Sequence, residues 1–212
     1  MLTEARINEF YTSFISKLEE VGVDPTKMVE FLGEEKIKQA PGGLETKSGL
    51  AFPGALLLLI LRNIDYGKCV YKATCNTKHY LTEKDENGNL KFEMVSDFDV
   101  DYKSFLKVLL LHHIGKVMMF EDNTDEWQKN KRGILYKWVD NNTVLKAGER
   151  ALYICQKCGI ELTEEEFEAM KINDKTDEDK FSMLHISPLS MLVKMADDLT
   201  YMKINSILKK KS

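Results

Sequence analysis

Four histidines stand in the 212-residue chain, and two of them, His112 and His113, are adjacent. The pair closes the largely apolar stretch from Phe105 to Leu111, interrupted by Lys107, and is followed by Ile114-Gly115-Lys116. Phe105, Val108, Leu109 and His112 recur at helical spacing. Neighbouring side chains on a helix point roughly 100° apart, so at most one imidazole is expected to face the core directly. A second pair, Asp197-Asp198, sits among Leu192, Met195, Ala196 and Leu199. A carboxylate in such company is costly unless it is paired, hydrogen-bonded or bound to a cation. Histidine with a buried aspartate therefore points to a metal or phosphate pocket. The alternative is a satisfied core histidine and a capping aspartate.

Cys155-x-x-Cys158 invites a zinc or redox reading, but it falls late in a helix, where positions i and i+3 share a face. A reactive thiol pair is expected at a helix N-terminus, which lowers its pKa. A zinc site would need Cys69 and Cys75 to converge, and their spacing is not a standard ligand pair. Buried structural cysteines are the reading. His79 lies in a hairpin and is expected to face solvent. The ten methionines suit an irregular core better than a binding groove.

The elements that position these residues are mostly helical. Ile7, Phe10, Tyr11, Phe14, Ile15 and Leu18 form one helix face, ended by Gly22. Asp24-Pro25 caps and opens a short helix through Met28, Phe31 and Leu32. The breakers between Ala40 and Gly49 mark a loop. Pro53 opens a helix over Gly54 to Ile64 that is apolar all round and so belongs in the interior. Two strand-like runs, Lys78 to Glu83 and Leu90 to Val95, flank an Asn-Gly turn, giving a β-hairpin insertion over about 70–96. Residues 123–142 are polar and aromatic, read as irregular with a helical turn near Trp127. Helices follow over Leu145 to Cys158, after the Thr163/Glu166 capping box, and from Ser187-Pro188 onward. In the last, Leu192, Met195, Ala196, Leu199 and Met202 are expected to face inward, and Lys209 to Lys211 suit the helix dipole. The stretch from Asp174 to Lys180 reads as a charged loop. With no repeat and no long linker, residues 1–212 form one all-α domain carrying a hairpin.

Composition narrows the function classes. Thirty basic against 34 acidic residues give a net charge of −4, with no electrostatic footprint for nucleic acid or an anionic membrane. Hydrophobic residues at 43% supply a core. The first residues show no secretory h-region, and the longest apolar run, Ala55 to Leu61, is far short of the roughly 20 residues that span a bilayer. Four cysteines in a chain this long are not a disulfide scaffold. The expectation is a cytoplasmic protein, in a host cytoplasm if the source is viral.

Leu111-His112-His113-Ile114-Gly115-Lys116 resembles the His-Asp-x-Gly-Lys signature of the HD-domain metal-dependent phosphohydrolases. Other segments follow in family order. Ala51-Phe52-Pro53-Gly54-Ala55-Leu56-Leu57-Leu58-Leu59 resembles Ala-Tyr-Pro-Gly-Gly-Leu-Leu-Glu-His, and Ala147-Gly148-Glu149-Arg150-Ala151-Leu152-Tyr153 resembles His-Gly-Glu-Lys-Ser-x-Tyr of small bacterial and phage members. Glu165 to Asn173 resembles Glu-x-x-Ala-Ile-Arg-x-His, and Met195-Ala196-Asp197 the closing Ala-Asp. The resemblance spans Ile37 to Met202 apart from the hairpin and implies an HD-type helical bundle.

The resemblance also implies a lost metal centre. Leu59 stands at the first metal-binding histidine, His113 at the aspartate of the doublet, and Ala147 and Asn173 at histidines that complete a second site in some members. Leu50 stands where many relatives carry a further histidine. Only His112 and Asp197 are retained, fewer than the three or four ligands of a catalytic transition-metal site. The expectation is a non-catalytic pseudoenzyme that works through a protein partner or self-association, with the hairpin as the added surface. One alternative keeps a small phosphorylated ligand, such as a nucleotide, near His112, His113, Lys116 and Asp197, with Arg150 as a second cation. Another keeps a divalent metal on His112, His113 and Asp197, and with it phosphohydrolase activity. Lys116 either faces such a phosphate or caps its helix C-terminus. Trp127, Tyr136 and Trp138 either present a partner surface or fold over the pocket.

Overall fold

A computed structural model describes residues 2–75, 78–84, 86–96, 99–140, 143–174 and 186–209. Its axis is α4 (Ala55–Thr74), the segment richest in unbroken leucine and isoleucine. Leu56, Leu57, Leu59, Ile60, Ile64 and Val70 are all buried along it, as an all-round apolar helix requires. The helix runs ten residues past the Ile64 end expected from sequence, straight through Gly67. Gly67 is a packing residue, not a breaker: a Cβ there would collide with Leu109 and press on Phe105, so its absence lets α5 (Tyr102–Leu111) cross close against α4.

Around this axis lie α1 (Glu4–Glu20), α2 (Thr26–Leu32) and α3 (Glu34–Gln39), then α6 (Ala147–Cys158), α7 (Glu164–Met170) and α8 (Pro188–Lys209). α8 lies along α4 in the most extensive helix–helix contact of the described residues. Local chemistry sets the boundaries. Thr3 caps α1 by accepting from Arg6 N, and Asp101 caps α5 by accepting from Ser104 N. The Thr163/Glu166 capping box is formed as expected, and Lys107 adds an ion pair to Glu166 at 2.8 Å. Asp24 accepts from Thr26 N at 2.9 Å, one residue ahead of the helix it was expected to open. Gly159, at φ +70°, ends α6.

The protein is mostly helical with a small antiparallel hairpin, β1 (Lys78–Lys84) on β2 (Leu90–Ser96), in register from Lys78 opposite Ser96 to Lys84 opposite Leu90. Because α4 continues to Thr74, the hairpin starts later than the expected residue 70. A second pair was missed. β3 (Phe120–Asp122) and β4 (Tyr136–Trp138) are antiparallel and flank a π-type turn over Gln128–Arg132. Three-residue strands carry too little alternation to stand out from a polar loop. The orientation of α8 also departs from expectation. Leu192 and Ala196 are buried, but Met195, Leu199 and Met202 are 40%, 41% and 66% exposed. The buried stripe is instead Leu189, Val193, Ala196, Asp197, Thr200 and Ile204, which turns Asp197 toward α4. The side chain of His79, and residues 175–185 with His185 among them, lie outside the described residues, as do residues 210–212 of the basic end. Among the described residues no helix is long and apolar enough to cross a membrane.

Gly115 shows how closely the site region is packed. It lies in the 3-10 turn Ile114–Met118, and a Cβ there would run into the carbonyl of Ala147 and stand 2.8 Å from Ala151 N. Backbone cannot yield as a side-chain end can, so Gly115→Ala must push α6 away. The expected cost is about 1–3 kcal/mol, read as a Tm lower by roughly 3–10 °C in thermal melts.

Candidate functional site: a buried polar cluster beside an open cleft

α5 ends at Leu111, and that ending creates the site. His112 is the cap residue and His113 begins the 3-10 turn, so the chain no longer follows α-helical geometry between them. Both imidazoles turn inward, with ring centroids 3.9 Å apart and both residues buried. The expectation that only one would face the core assumed a continuous helix, and it fails for that reason. Opposite them α8 supplies Asp197, while its neighbour Asp198 points out and pairs with Lys194 at 2.9 Å.

The Asp197 carboxylate is the hub. Oδ1 lies 2.7 Å from His113 Nε2 and 2.8 Å from Asn63 Nδ2, and Oδ2 lies 2.6 Å from Asn173 Nδ2. The proton positions follow from the partners. His112 Nδ1 is 2.9 Å from the Val108 carbonyl and must donate to it, which leaves Nε2 as an acceptor. Asn63 Nδ2, 3.3 Å away, supplies that donor while its other hydrogen goes to Asp197. His113 Nε2, facing a carboxylate oxygen, carries its own proton. Thr200, bonded to the Ala196 carbonyl at 2.8 Å, stands 3.4 Å from the Asn63 oxygen. Asn63 is fully buried and was not singled out from sequence. An asparagine on the buried face of an otherwise apolar helix was the signal that could have found it.

Burial drives the His113 imidazolium down to about 3 against the attraction of Asp197, so the ring is neutral in the folded protein. Burial alone would raise the Asp197 carboxyl, but the attraction of His113 and the hydrogen bonds it receives outweigh this and hold it below the usual range. The cluster thus carries one negative charge, satisfied by N–H donors on three sides.

The sequence-derived positions divide clearly. His112, His113 and Asp197 converge, with ligand atoms within 4.8 Å of one another. Asn173 joins them as a hydrogen-bond donor. Leu59 does not: it packs with Leu50, Ala55 and Ile204 in a small apolar cluster of its own. The two leucines at positions where the resemblance implies histidines therefore pack together. Lys116 neither joins the cluster nor caps its own turn; its ammonium donates to Gly42 O at 3.2 Å and to the Tyr201 hydroxyl at 3.0 Å. Cys155 and Cys158 are buried, and burial pushes the Cys155 thiol up to about 12, so the pair is inert as a nucleophile.

No family model, curated protein or solved structure matches the chain. Its chemistry is read from its own geometry.

Beside the cluster opens a cleft of about 670 Å³, walled by Phe120, Trp138 and Val144 and floored by Lys116, Lys146 and Arg150. Ala147 lines it, and so does Asn173, which stands between the cleft and Asp197. Of the aromatics whose place sequence left open, Trp138 forms a section of the cleft wall, whereas Trp127 is exposed beneath the Arg132 guanidinium.

The neutral His113 sets the acid response. Its ordinary value of 6.5 applies in the unfolded chain and about 3 in the folded one, so between these the unfolded chain binds the extra proton. Stability is full above pH 6.5 and falls as pH drops toward 3, by up to ~1.4 kcal/mol per unit. Asp197 adds to the loss below its unfolded value of 3.8. Melts from pH 8 to 4 should show a level Tm that declines below about 6.5, and His113→Gln, which keeps a donor but cannot titrate, should flatten that decline. An unchanged slope in the variant would show that His113 is not the group responsible.

Proposed function

We propose that this chain is a non-catalytic, HD-like pseudoenzyme whose polar centre is a structural hydrogen-bond network, and that it works by contact with other molecules. The observation that carries the reading is the occupancy of the Asp197 carboxylate. Asn63, Asn173 and His113 aim N–H donors at its oxygens, supplying the positive character that an ion would otherwise supply. Asparagine nitrogens are not metal ligands. A metal at this position would require His113 Nε2 to lose its proton and both amides to turn over. The Leu50–Leu59–Ile204 cluster supports the same view, because two positions at which the resemblance implies histidines are taken up by apolar packing. His112, His113 and Asp197 are all buried, leaving no open coordination position for substrate.

A second reading rests on one specific observation. His112, with Nδ1 bound to a carbonyl and Nε2 left unprotonated as an acceptor, has the tautomer of a metal-ligating histidine, and His113 and Asp197 stand within reach. This is the arrangement a divergent phosphohydrolase would need, and it is open to direct test.

For the contact role, Met191, Met195, Leu199 and Met202 form an exposed apolar stripe along α8, which suits a protein partner or a second copy. The two-stranded hairpin is the other candidate contact element. A cytoplasmic location belongs to the same proposal.

Protein purified without chelator and incubated with manganese, iron, nickel or zinc is expected to retain no stoichiometric ion by elemental analysis. Its Tm should be the same with metal and with EDTA, since an ion bound only by the folded state would raise it. One tight equivalent, lost in Asp197→Ala and in His112→Ala, would overturn the pseudoenzyme reading in favour of the hydrolase.

A further inference from the structure

One face of α8 is left over once its packing is accounted for. The helix buries Leu189, Val193, Ala196, Asp197, Thr200 and Ile204, and carries Met191, Met195, Leu199 and Met202 on the opposite side, each 40–66% exposed. At 100° per residue these four fall within about 80° of arc, a continuous stripe at spacings of four, four and three residues. A bare apolar row of this kind marks a contact surface. Its borders say what covers it. Lys194 and Asp198 run along one border, paired with each other at 2.9 Å and both reaching solvent, and Lys203 lies on the other border.

The pattern is complementary to itself. A second α8 laid antiparallel, about a two-fold axis at the level of Ala196, brings Lys194 level with the partner's Asp198 and Asp198 level with the partner's Lys194. Such an axis sets each border against its own copy, so the border that carries both charges meets itself. The apolar side chains interleave in the same register. The partner's Met195 falls between Met195 and Leu199, and the partner's Leu199 falls between Met191 and Met195. In a parallel pair the Lys194–Asp198 border would instead face the border of Lys203, where α8 has no carboxylate to offer. We infer that α8 pairs antiparallel with the α8 of a second copy of this chain, through the Met191–Met202 stripe and reciprocal Lys194–Asp198 ion pairs. The inference rests on the contact role proposed above and names its partner. The apolar row supplies the attraction, and the flanking charges fix the orientation, as they do beside the seam of a coiled coil. One helix pair buries less than the ~800 Å² per partner of a standard interface, so the association is weak and concentration-dependent.

The full chain is run by sedimentation equilibrium in EDTA, so that no metal bridges two copies, at about 5 to 500 µM, where weak dimers are resolved. The parent should pass from monomer to dimer across that range. Met195→Glu, at an exposed position near the axis, should keep the parent's circular dichroism and raise the dissociation constant ~10-fold or more. The charges give the more specific test. Lys194→Glu makes the border wholly acidic and Asp198→Lys makes it wholly basic, so each variant alone should stay monomeric. Mixed in equal amounts, the two should associate again to within a few fold of the parent, a rescue that a parallel pair would not give. The inference is overturned if the parent is monomeric at every concentration, if Met195→Glu associates as the parent does, or if the mixture associates no better than its components. A monomeric chain that takes up no metal would overturn the pairing and leave the pseudoenzyme reading standing. Stoichiometric metal in a chain that dimerises would uphold the pairing and overturn that reading.

Discussion

One buried charge organises this structure. The Asp197 carboxylate sits where α4, the end of α5, the turn after α7 and α8 meet, and each of those elements contributes a group that answers it or its partners. Removing an ion from water costs several kcal/mol, and the interior returns this only when all its lone pairs are met by well-placed donors. Asn63 meets two needs at once, donating to Asp197 and to His112, so a change in the α4–α8 distance would break both bonds. Apolar contacts between the same helices tolerate sliding; a carboxylate with donors at 2.6–2.8 Å does not. The network therefore sets one arrangement of helices whose packing alone would permit several.

Close backbone approach is the second constraint, and it follows from the first. For His112 and His113 to face Asp197 together, the chain must leave α5 at Leu111 and turn under α6. That turn fits only because Gly115 has no side chain where the Ala147 carbonyl passes. Gly148 does the same for the next layer, where a Cβ would meet the Met170 carbonyl and the Asp174 carboxylate. The Gly-Lys of one motif and the Ala-Gly-Glu-Arg of another are thus a pair of facing surfaces. Their glycines are explained by packing, whatever chemistry the site performs.

The regions of the fold that were legible in the sequence are those written in strong local signals. Helical periodicity marked α1 and α5, the capping box marked α7, and an Asn-Gly between alternating runs marked the hairpin. The failures share a cause: they depend on what lies across the chain fold. The helix expected to end at Ile64 continues to Thr74, past a Gly67 whose role shows only once Leu109 is placed against it. Met195 and Leu199 read as core until α4 is seen to lie on the opposite side of α8. The site divides in the same way. His112, His113 and Asp197 stand out by residue type, and they do converge. Asn63 carries no motif, and its role exists only through partners 49 and 134 positions away. The comparison of Leu50 with Leu59 is instructive, since each looks like an isolated loss in the sequence but together they form one packed cluster with Ile204.

Two neighbouring polar regions treat charge in opposite ways, and the contrast bears on what the protein does. In the Asp197 cluster the single charge is met on three sides and shut from solvent, which favours rigidity. In the cleft the cations donate to carbonyl and hydroxyl oxygens, Lys146 also feels the Asp174 carboxylate, Arg150 Nε is buried without an acceptor among the described residues, and Trp138 stands open to solvent. Asn173 lies on the boundary, lining the cleft with one side and holding Asp197 with the other. Asn173 is thus the one exposed member of the network, joined through Asp197 to the packing of α4 against α8.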